Sequence, residues 1–173
     1  MSIPDALETA RLRLRRFTFD DVPALYQLGS LPAVIRYIGN QPVASLEAAR
    51  ENLIKGPLRD YEVHGFGRLA CVWKESGAVI GFCGVKHLDE LGENELGYRF
   101  LPEYWGKGLA TEAGRAVIDH ARDLYKLKRL VSVIHRDNHA SKNVVRKLGF
   151  SFEKNIVESD EPGIEKELYS GNI

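Results

Sequence analysis

Residues 104–113, with the sequence YWGKGLATEA, combine the features best suited to hold an anion through the backbone. Gly106 and Gly108 lie between an extended apolar segment and a helical one, and glycine lets backbone N–H groups approach a ligand closely. The helix that follows adds its unpaired first-turn amides and the positive end of its dipole. The segment therefore predicts a phosphate site made mostly of main-chain amides. Its residues are Gly106, Lys107, Gly108, Leu109, Ala110 and Thr111.

Two common nucleotide motifs do not fit this spacing. The triphosphate-binding loop ends in Gly-Lys-Ser/Thr, and no such ending follows Gly106. The dinucleotide fingerprint needs a third glycine where Thr111 stands and an acidic residue about 20 positions later. Neither is present, so the anion belongs to another class of ligand.

Composition indicates one domain covering residues 1–173 and excludes several classes of partner. Lys and Arg number 24 and Asp and Glu also 24, so no net charge attracts nucleic acid or an acidic membrane. No apolar run is long enough for a membrane span, and no signal peptide opens the chain. Cys71 and Cys83 lack metal or redox spacing, which favours buried thiols in a reducing cytoplasm and no bound metal.

Hydrophobic periodicity predicts an α/β fold in which a mixed sheet has helices on its faces. The predicted strands are residues 9–17, 68–74, 78–87, 95–101, 129–134, 150–157 and 164–169. The predicted helices are residues 21–28, a short one after Pro32, 46–58 capped by Ser45, 109–124, and one from Asn138 to Gly149.

Seven segments in this order resemble the GNAT acyltransferases, which bind acetyl-CoA, and most strongly their ribosomal-protein (RimJ/RimL-like) branch. They are ETARLRLRR from Glu8, VIRYI from Val34, IGFCG from Ile80, ELGYRFLP from Glu95, the glycine loop with ATEA from Ala110, NHAS from Asn138 and KLGF from Lys147. The resemblance implies the GNAT fold, a mixed and mostly antiparallel sheet flanked by helices, with splayed central strands holding acetyl-CoA. The glycine loop departs from the family pattern at one position, because that pattern begins with Gln or Arg where this chain has Trp105.

The same resemblance assigns cofactor contacts outside the glycine loop. The backbone of Tyr98, Phe100 and Leu101 would pair with the pantetheine amides, as an added strand does. The thioester carbonyl would meet an N–H near Tyr98, a small oxyanion site. Further contacts are implied for Asn138, which also suits a helix cap, and for Ser141 and Asn143.

The candidate catalytic side chains are few. Glu95 is the candidate general base, although Asp89, Glu90, Glu93 and Glu95 could equally be the solvated carboxylates of one turn. His87 is the alternative base, and Ser141 is a candidate proton donor to the departing sulfur. Many GNAT enzymes use a tyrosine as that donor, where this chain has Val145. The absence of this tyrosine matters little, because a thiol with a pKa of about 8.5 already leaves readily as a thiolate.

The leading hypothesis is an acetyl-CoA-dependent N-acetyltransferase, in which a primary amine attacks directly in a ternary complex. Deprotonating an α-amine with a pKa of about 8 at pH 7 costs about 1.4 kcal/mol, whereas deprotonating a lysine side chain costs about 4.6 kcal/mol. A weak base therefore suffices for a protein N-terminus, which the ribosomal-protein branch also implies. Two alternatives stay open: a small amine (amino acid, polyamine or drug) as acceptor, and a CoA-binding module without catalysis. A homodimer is a family expectation only.

Overall fold

An eight-stranded sheet forms the centre of the computed structural model, which describes residues 6–39, 41–157 and 163–173. The strands are β1 (Ala6–Glu8), β2 (Leu12–Arg15), β3 (Arg68–Trp73), β4 (Val79–Leu88), β5 (Glu93–Phe100), β6 (Arg129–His135), β7 (Ser151–Ile156) and β8 (Lys166–Asn172). They lie in the order β1-β2-β3-β4-β5-β6-β8-β7. The pairs are antiparallel except β5 with β6, which is parallel. The predicted fold class, a mixed and mostly antiparallel sheet flanked by helices, is confirmed.

Six α-helices cover the sheet within the described residues. They are α1 (Val22–Ser30), α2 (Pro32–Ile35), α3 (Leu46–Leu53), α4 (Arg59–His64), α5 (Leu109–Asp123) and α6 (His139–Lys147). Short 3-10 turns lie at Phe19–Asp21 and Pro102–Tyr104. As predicted, Ser45 caps α3, its Oγ accepting the Ala48 amide at 3.1 Å. A π-turn at Ile54–Leu58, which contains Pro57, joins α3 to α4, so the predicted helix 46–58 is interrupted and runs further.

The two faces of the sheet bury different cores, because side chains alternate along each strand. On one face, Leu28 of α1 and Leu53 of α3 pack with Ala70 and Phe82. On the other, α5 and α6 pack against a larger core, whose centre includes Leu96, Leu109, Val117, Leu130 and Val145. The strand positions 95, 97 and 99 therefore face the α1–α4 side, and positions 96, 98 and 100 face α5 and α6.

The strand predicted over residues 9–17 is shorter in the structure, where β2 covers Leu12–Arg15 and residues 9–11 form the turn that joins it to β1. Leu7 pairs with Leu14 across it. The Thr9 hydroxyl accepts the Leu12 amide at 2.9 Å, and the Thr9 amide donates to the Leu12 carbonyl at 2.9 Å. Leu12 and Leu14 remain buried, so their alternation is genuine, but it does not reveal the turn before them.

The pairing of β5 with β6 stops almost where it begins. Glu95 and Val131 form their one register pair within the described strands, although each strand continues for several residues. Beyond that point the strands diverge, as the expected splay of the central strands requires. The backbone of β5 that faces β6 therefore lacks a neighbouring strand beyond this pair.

Glu112, in the first turn of α5, joins that helix to the β1–β2 turn. Its carboxylate accepts hydrogen bonds from the Thr9 hydroxyl at 2.6 Å, the Arg11 amide at 2.9 Å and Arg11 Nε at 2.8 Å. Burial alone would raise the pKa of Glu112, but these hydrogen bonds outweigh it, so the pKa is lower than the ordinary 4.5. The carboxylate thus holds the start of α5 against the sheet edge.

We expect Glu112→Gln to lower the free energy of unfolding by about 2 kcal/mol at pH 7, because charge-assisted hydrogen bonds are lost. A carboxyl whose folded pKa is lowered stabilises fully above its unfolded pKa, and that stabilisation is lost as pH falls through the folded pKa. The difference between wild type and variant should therefore shrink below about pH 5 in urea titrations. Glu103→Gln, at an exposed position, is the control, and an equal effect of both substitutions at pH 7 would contradict this role.

Candidate functional site

A cleft of about 800 Å³ opens where β5 and β6 diverge. Its lining comes from the segment around α2, from strands β3, β4, β5, β6 and β8, and from the glycine loop together with α6. The parallel crossover from β5 through α5 to β6 places the glycine loop and the start of α6 at the same end of these two strands. The cleft therefore collects most of the residues that the sequence singles out.

The glycine loop forms one wall of the cleft. Gly106 has φ of +72° and Gly108, the N-cap of α5, has φ of +76°, a left-handed conformation that other residues rarely adopt. Within the described part of the chain, no hydrogen bond engages the backbone amides of residues 106–111. Successive unpaired amides at the start of a 15-residue helix make a concave anion site.

The loop takes this path because the residues before it are held in place. The Trp105 indole N–H turns back and donates to the Phe100 carbonyl at 2.7 Å, while the Trp105 amide donates to the Pro102 carbonyl at 3.0 Å. Trp105 therefore acts as a brace between loop and strand, where the family pattern has a polar side chain. Lys147, from the end of α6, lines the same wall and was missed by the sequence analysis.

The strand β5 presents its backbone to the gap. The Leu96 carbonyl accepts the Ser132 hydroxyl at 2.8 Å, and the Phe100 carbonyl accepts Trp105, so backbone groups of the even positions point towards β6. By the alternation of a strand, the N–H and C=O of Tyr98 also point there. Its phenol is occupied elsewhere, donating to the Ser141 carbonyl at 3.0 Å, and burial raises the Tyr98 pKa.

Leu101 does not fit its predicted backbone role, and that part of the prediction has to be dropped. Its amide donates to the Ile80 carbonyl at 2.9 Å, and its carbonyl accepts the Tyr104 amide at 3.0 Å. The side chain is buried at 6% exposure in the α1–α4 core. The reason is that backbone N–H groups point alternately to the two sides of a strand, and those of the odd positions of β5 point towards β4.

The start of α6 borders the gap from the other side. Asn138 caps the helix, its Oδ1 accepting the Ser141 amide at 3.2 Å, which confirms the predicted cap. Asn138, Ser141 and Asn143 all line the cleft. Val145, where the family often has tyrosine, is fully buried in the core.

Glu95 lies at the point where the strands separate. Its Oε1 accepts the Val133 amide at 3.2 Å, the group that the next rung of a continued β5–β6 ladder would use. The other oxygen, Oε2, lies above Gly97, about 4.0 Å from where a Cβ would be built there. The Glu95 carboxylate therefore closes the apex of the splay and borders the cleft.

His135, and not the alternative base His87, lies at the cleft. His87, the alternative base, does not line the cleft and pairs with Asn94 Oδ1 at 2.9 Å through Nδ1. His135 does line it, with its ring 5.3 Å from that of Tyr37 near the end of α2. This contact closes the cleft between α2 and the end of β6, and no sequence pattern indicated it.

The charge of the cleft is strongly unbalanced. Among the described residues that line it, Glu95 is the one carboxylate. The basic side chains are Arg36, Arg68, Lys86, Arg99, Lys147 and Lys166. The overall charge of the chain is zero, so this local excess could not be read from composition.

The two cysteines lie outside this site. Cys71 and Cys83 are free, fully buried in the sheet, and absent from the cleft lining. Burial raises the pKa of both thiols, so neither is an activated nucleophile. No group of three or more His, Cys, Asp or Glu residues suited to a metal ion occurs in the described ranges.

The fold agrees with comparisons to known proteins. Residues 11–151 match the family described as the acetyltransferase (GNAT) domain. The chain is 32% identical over 151 residues to the uncharacterized N-acetyltransferase p20 of Bacillus licheniformis, covering 86% of this chain and 84% of that protein. The chain therefore belongs to the GNAT acetyltransferase family, whose members use acetyl-CoA, and it is an acyltransferase enzyme.

Two further relatives extend the comparison. The spermidine N(1)-acetyltransferase of Escherichia coli (strain K12) is 25% identical over 149 residues, covering 84% of this chain and 76% of that enzyme. The crystal structure of an acetyltransferase from Agrobacterium tumefaciens str. C58 superposes with a TM-score of 0.83 at 28% identity, covering 99% and 95% of the two chains.

In the described residues, no helix is long and apolar enough to cross a bilayer.

We expect neither cysteine of the native protein to react with Ellman's reagent within minutes at pH 8, because both thiols are buried and their pKa values are raised. Unfolding in concentrated urea should expose both, and the absorbance of the released thionitrobenzoate counts them. A full equivalent reacting in the native state would show that one thiol is accessible. The expected inertness also means that thiol-release assays on this enzyme report free CoA alone.

Proposed function

We propose that this protein transfers the acetyl group of acetyl-CoA to a primary α-amine, with a protein N-terminus as the acceptor, by direct attack in a ternary complex. The observation that carries the proposal is that, within the described residues, no hydrogen bond engages the amides of residues 106–111 and no strand pairs with the backbone of Tyr98 that faces β6. A diphosphate fits the first, and an amide-containing chain fits the second. Assignment to the RimJ/RimL-like branch and to the cytoplasm belongs to the same proposal.

The residues present suit CoA by their chemistry. Amides of the glycine loop and the α5 dipole would hold the pyrophosphate, with Lys147 adding a positive charge on the same wall. The Tyr98 and Phe100 backbone, facing β6, would pair with the pantetheine arm as an added strand pairs. Asn138, Ser141 and Asn143 border the same gap from α6. When bound there, acetyl-CoA supplies the acetyl thioester.

Three groups of this chain are proposed to act on the reactants: one hydrogen-bond donor, one general base and one proton donor. The Tyr98 N–H points into the gap and is placed to donate to a carbonyl oxygen held there. Glu95 is the carboxylate that can take a proton from an acceptor amine, either directly or through one water. Ser141 lies on the α6 side of the gap, where it can donate a proton to a thiolate.

An α-amine suits this site better than a lysine or a polyamine does. Among the described residues, Glu95 is the one carboxylate that borders the cleft. A carboxylate is a weak base for an amine with a pKa of about 10 but an adequate one for an amine with a pKa of about 8. The relatives include spermidine acetyltransferases, yet the basic lining of this cleft repels a polycation. A small amine such as an amino acid remains the alternative acceptor, because its α-amine also has a low pKa and it is not a polycation.

We expect Gly108→Val to weaken acetyl-CoA binding at least 100-fold in isothermal titration calorimetry. A branched side chain disfavours φ of +76°, so the loop that carries the free amides would have to change its path. Gly77→Val is the matched control, because Gly77 has φ of +75° with open space around it in the β3–β4 hairpin. If both variants fold and both bind acetyl-CoA like wild type, the cofactor site is misplaced.

We expect Glu95→Gln to lower kcat by about 100-fold or more, because removing a general base typically costs that much. Glutamine keeps an oxygen that can accept the Val133 amide, so the apex of the splay should be retained. Thiol release measured with α-amine peptides gives kcat, and the KM for acetyl-CoA should stay within about twofold. An unchanged kcat would remove Glu95 from the mechanism, and absence of thiol release by wild type with every amine would favour a non-catalytic module.

A further inference from the structure

Two arginines that line the cleft share one aromatic ring on the α1–α4 face of the sheet. Arg68 of β3 and Arg99 of β5 both lie against Phe82 of β4, with guanidinium carbons 5.4 and 5.2 Å from the ring centroid. Phe82 is directly opposite Arg99 in the β4–β5 register, and all three residues line the cleft. They lie on the same face of the sheet as Glu95.

Neither guanidinium has a carboxylate partner among the described residues. Arg68 Nε is buried without a hydrogen bond there, and Arg99 makes one bond, to the Leu28 carbonyl at 3.3 Å. Burial and the neighbouring Arg68 lower the Arg99 pKa to about 10, which still leaves it charged at neutral pH. Leaving two like charges partly buried and unpaired is costly, so the arrangement suits an anion that arrives with a ligand.

Gly97 leaves the floor between Glu95 and Arg99 without a side chain. These three positions are every second residue of the strand, so they share one face. Cα atoms four residues apart on a strand are separated by about 13 Å. The carboxylate and guanidinium side chains can reach towards each other over Gly97. An amine held near Glu95 can therefore place an anion at Arg99 when the two groups lie within about three residues of extended chain.

We propose that the acceptor carries a carboxylate close to its amine, and that Arg99 and Arg68 bind this carboxylate while the amine faces Glu95. The planar guanidinium matches a carboxylate through paired N–H groups, and aromatic stacking fixes its orientation. For a protein acceptor, this means an acidic residue within the first three positions. The inference rests on the proposed function and narrows its acceptor class.

The test compares two peptide amides that differ only in charge, Ala-Glu-Glu-Ala and Ala-Gln-Gln-Ala, with spermidine as the polycation. For wild type, we expect kcat/KM for the acidic peptide to be at least tenfold higher, mainly through a lower KM. In Arg99→Gln and Arg68→Gln this preference should fall below threefold, while kcat for the neutral peptide is kept. Arg13→Gln, an exposed arginine outside the cleft lining, is the matched control and should keep the wild-type preference.

Equal use of the two peptides by wild type, or faster acetylation of spermidine, overturns the inference while leaving the transferase function intact. Arg99→Lys keeps the charge and should retain part of the preference, so it substitutes where Arg99→Gln does not fold. If no amine is acetylated, the proposed function fails, and calorimetry with the two N-acetylated peptides still tests the inference. Binding of the acidic peptide to wild type but not to Arg68→Gln supports it, and equal binding or none contradicts it.

Discussion

The end of β5–β6 pairing at Glu95 and Val131 is the constraint on which the rest of the site depends. A strand that loses its neighbour leaves polar backbone groups exposed, and partly buried groups of this kind must find other partners. Side chains satisfy the carbonyls of Leu96 and Phe100, through Ser132 and Trp105. Tyr98, between them, keeps backbone groups available to a ligand. The cleft is therefore a gap in a ladder of hydrogen bonds, and a ligand with amides along its length can fill it.

The remaining elements hold the two sides of this gap in a fixed relation. Glu112 ties the start of α5 to the β1–β2 turn, so the amides of the glycine loop point into the cleft from a supported helix. Tyr98 bonds the backbone of α6 across the gap, which fixes the opposite wall. Charge also differs between the walls of the cleft. Amides and Lys147 line the wall made by the glycine loop and α6, while Arg68 and Arg99 lie against Phe82 on the sheet face that also carries Glu95.

Local features of this site could be predicted from the sequence, and features that depend on strand register could not. The glycine loop, the Asn138 cap and the Ser45 cap depend on residues a few positions apart, so their patterns are readable. The hairpin at Thr9 was missed because burial alternates in the same way on both sides of a turn. The roles of Leu101 and of Arg68 with Arg99 depend on which neighbour each strand position faces, and one sequence does not give the pairing of β3, β4 and β5.

Amide hydrogen exchange with and without acetyl-CoA, resolved to single residues by NMR, tests this account most directly. The amides of residues 106–111 and of Tyr98 should exchange much more slowly once acetyl-CoA is bound, because each gains an acceptor. The Leu101 amide, already bonded to Ile80, should change little. Protection confined to another surface, or none at all at saturating acetyl-CoA, would show that neither the gap beside β5 nor the glycine loop holds the cofactor.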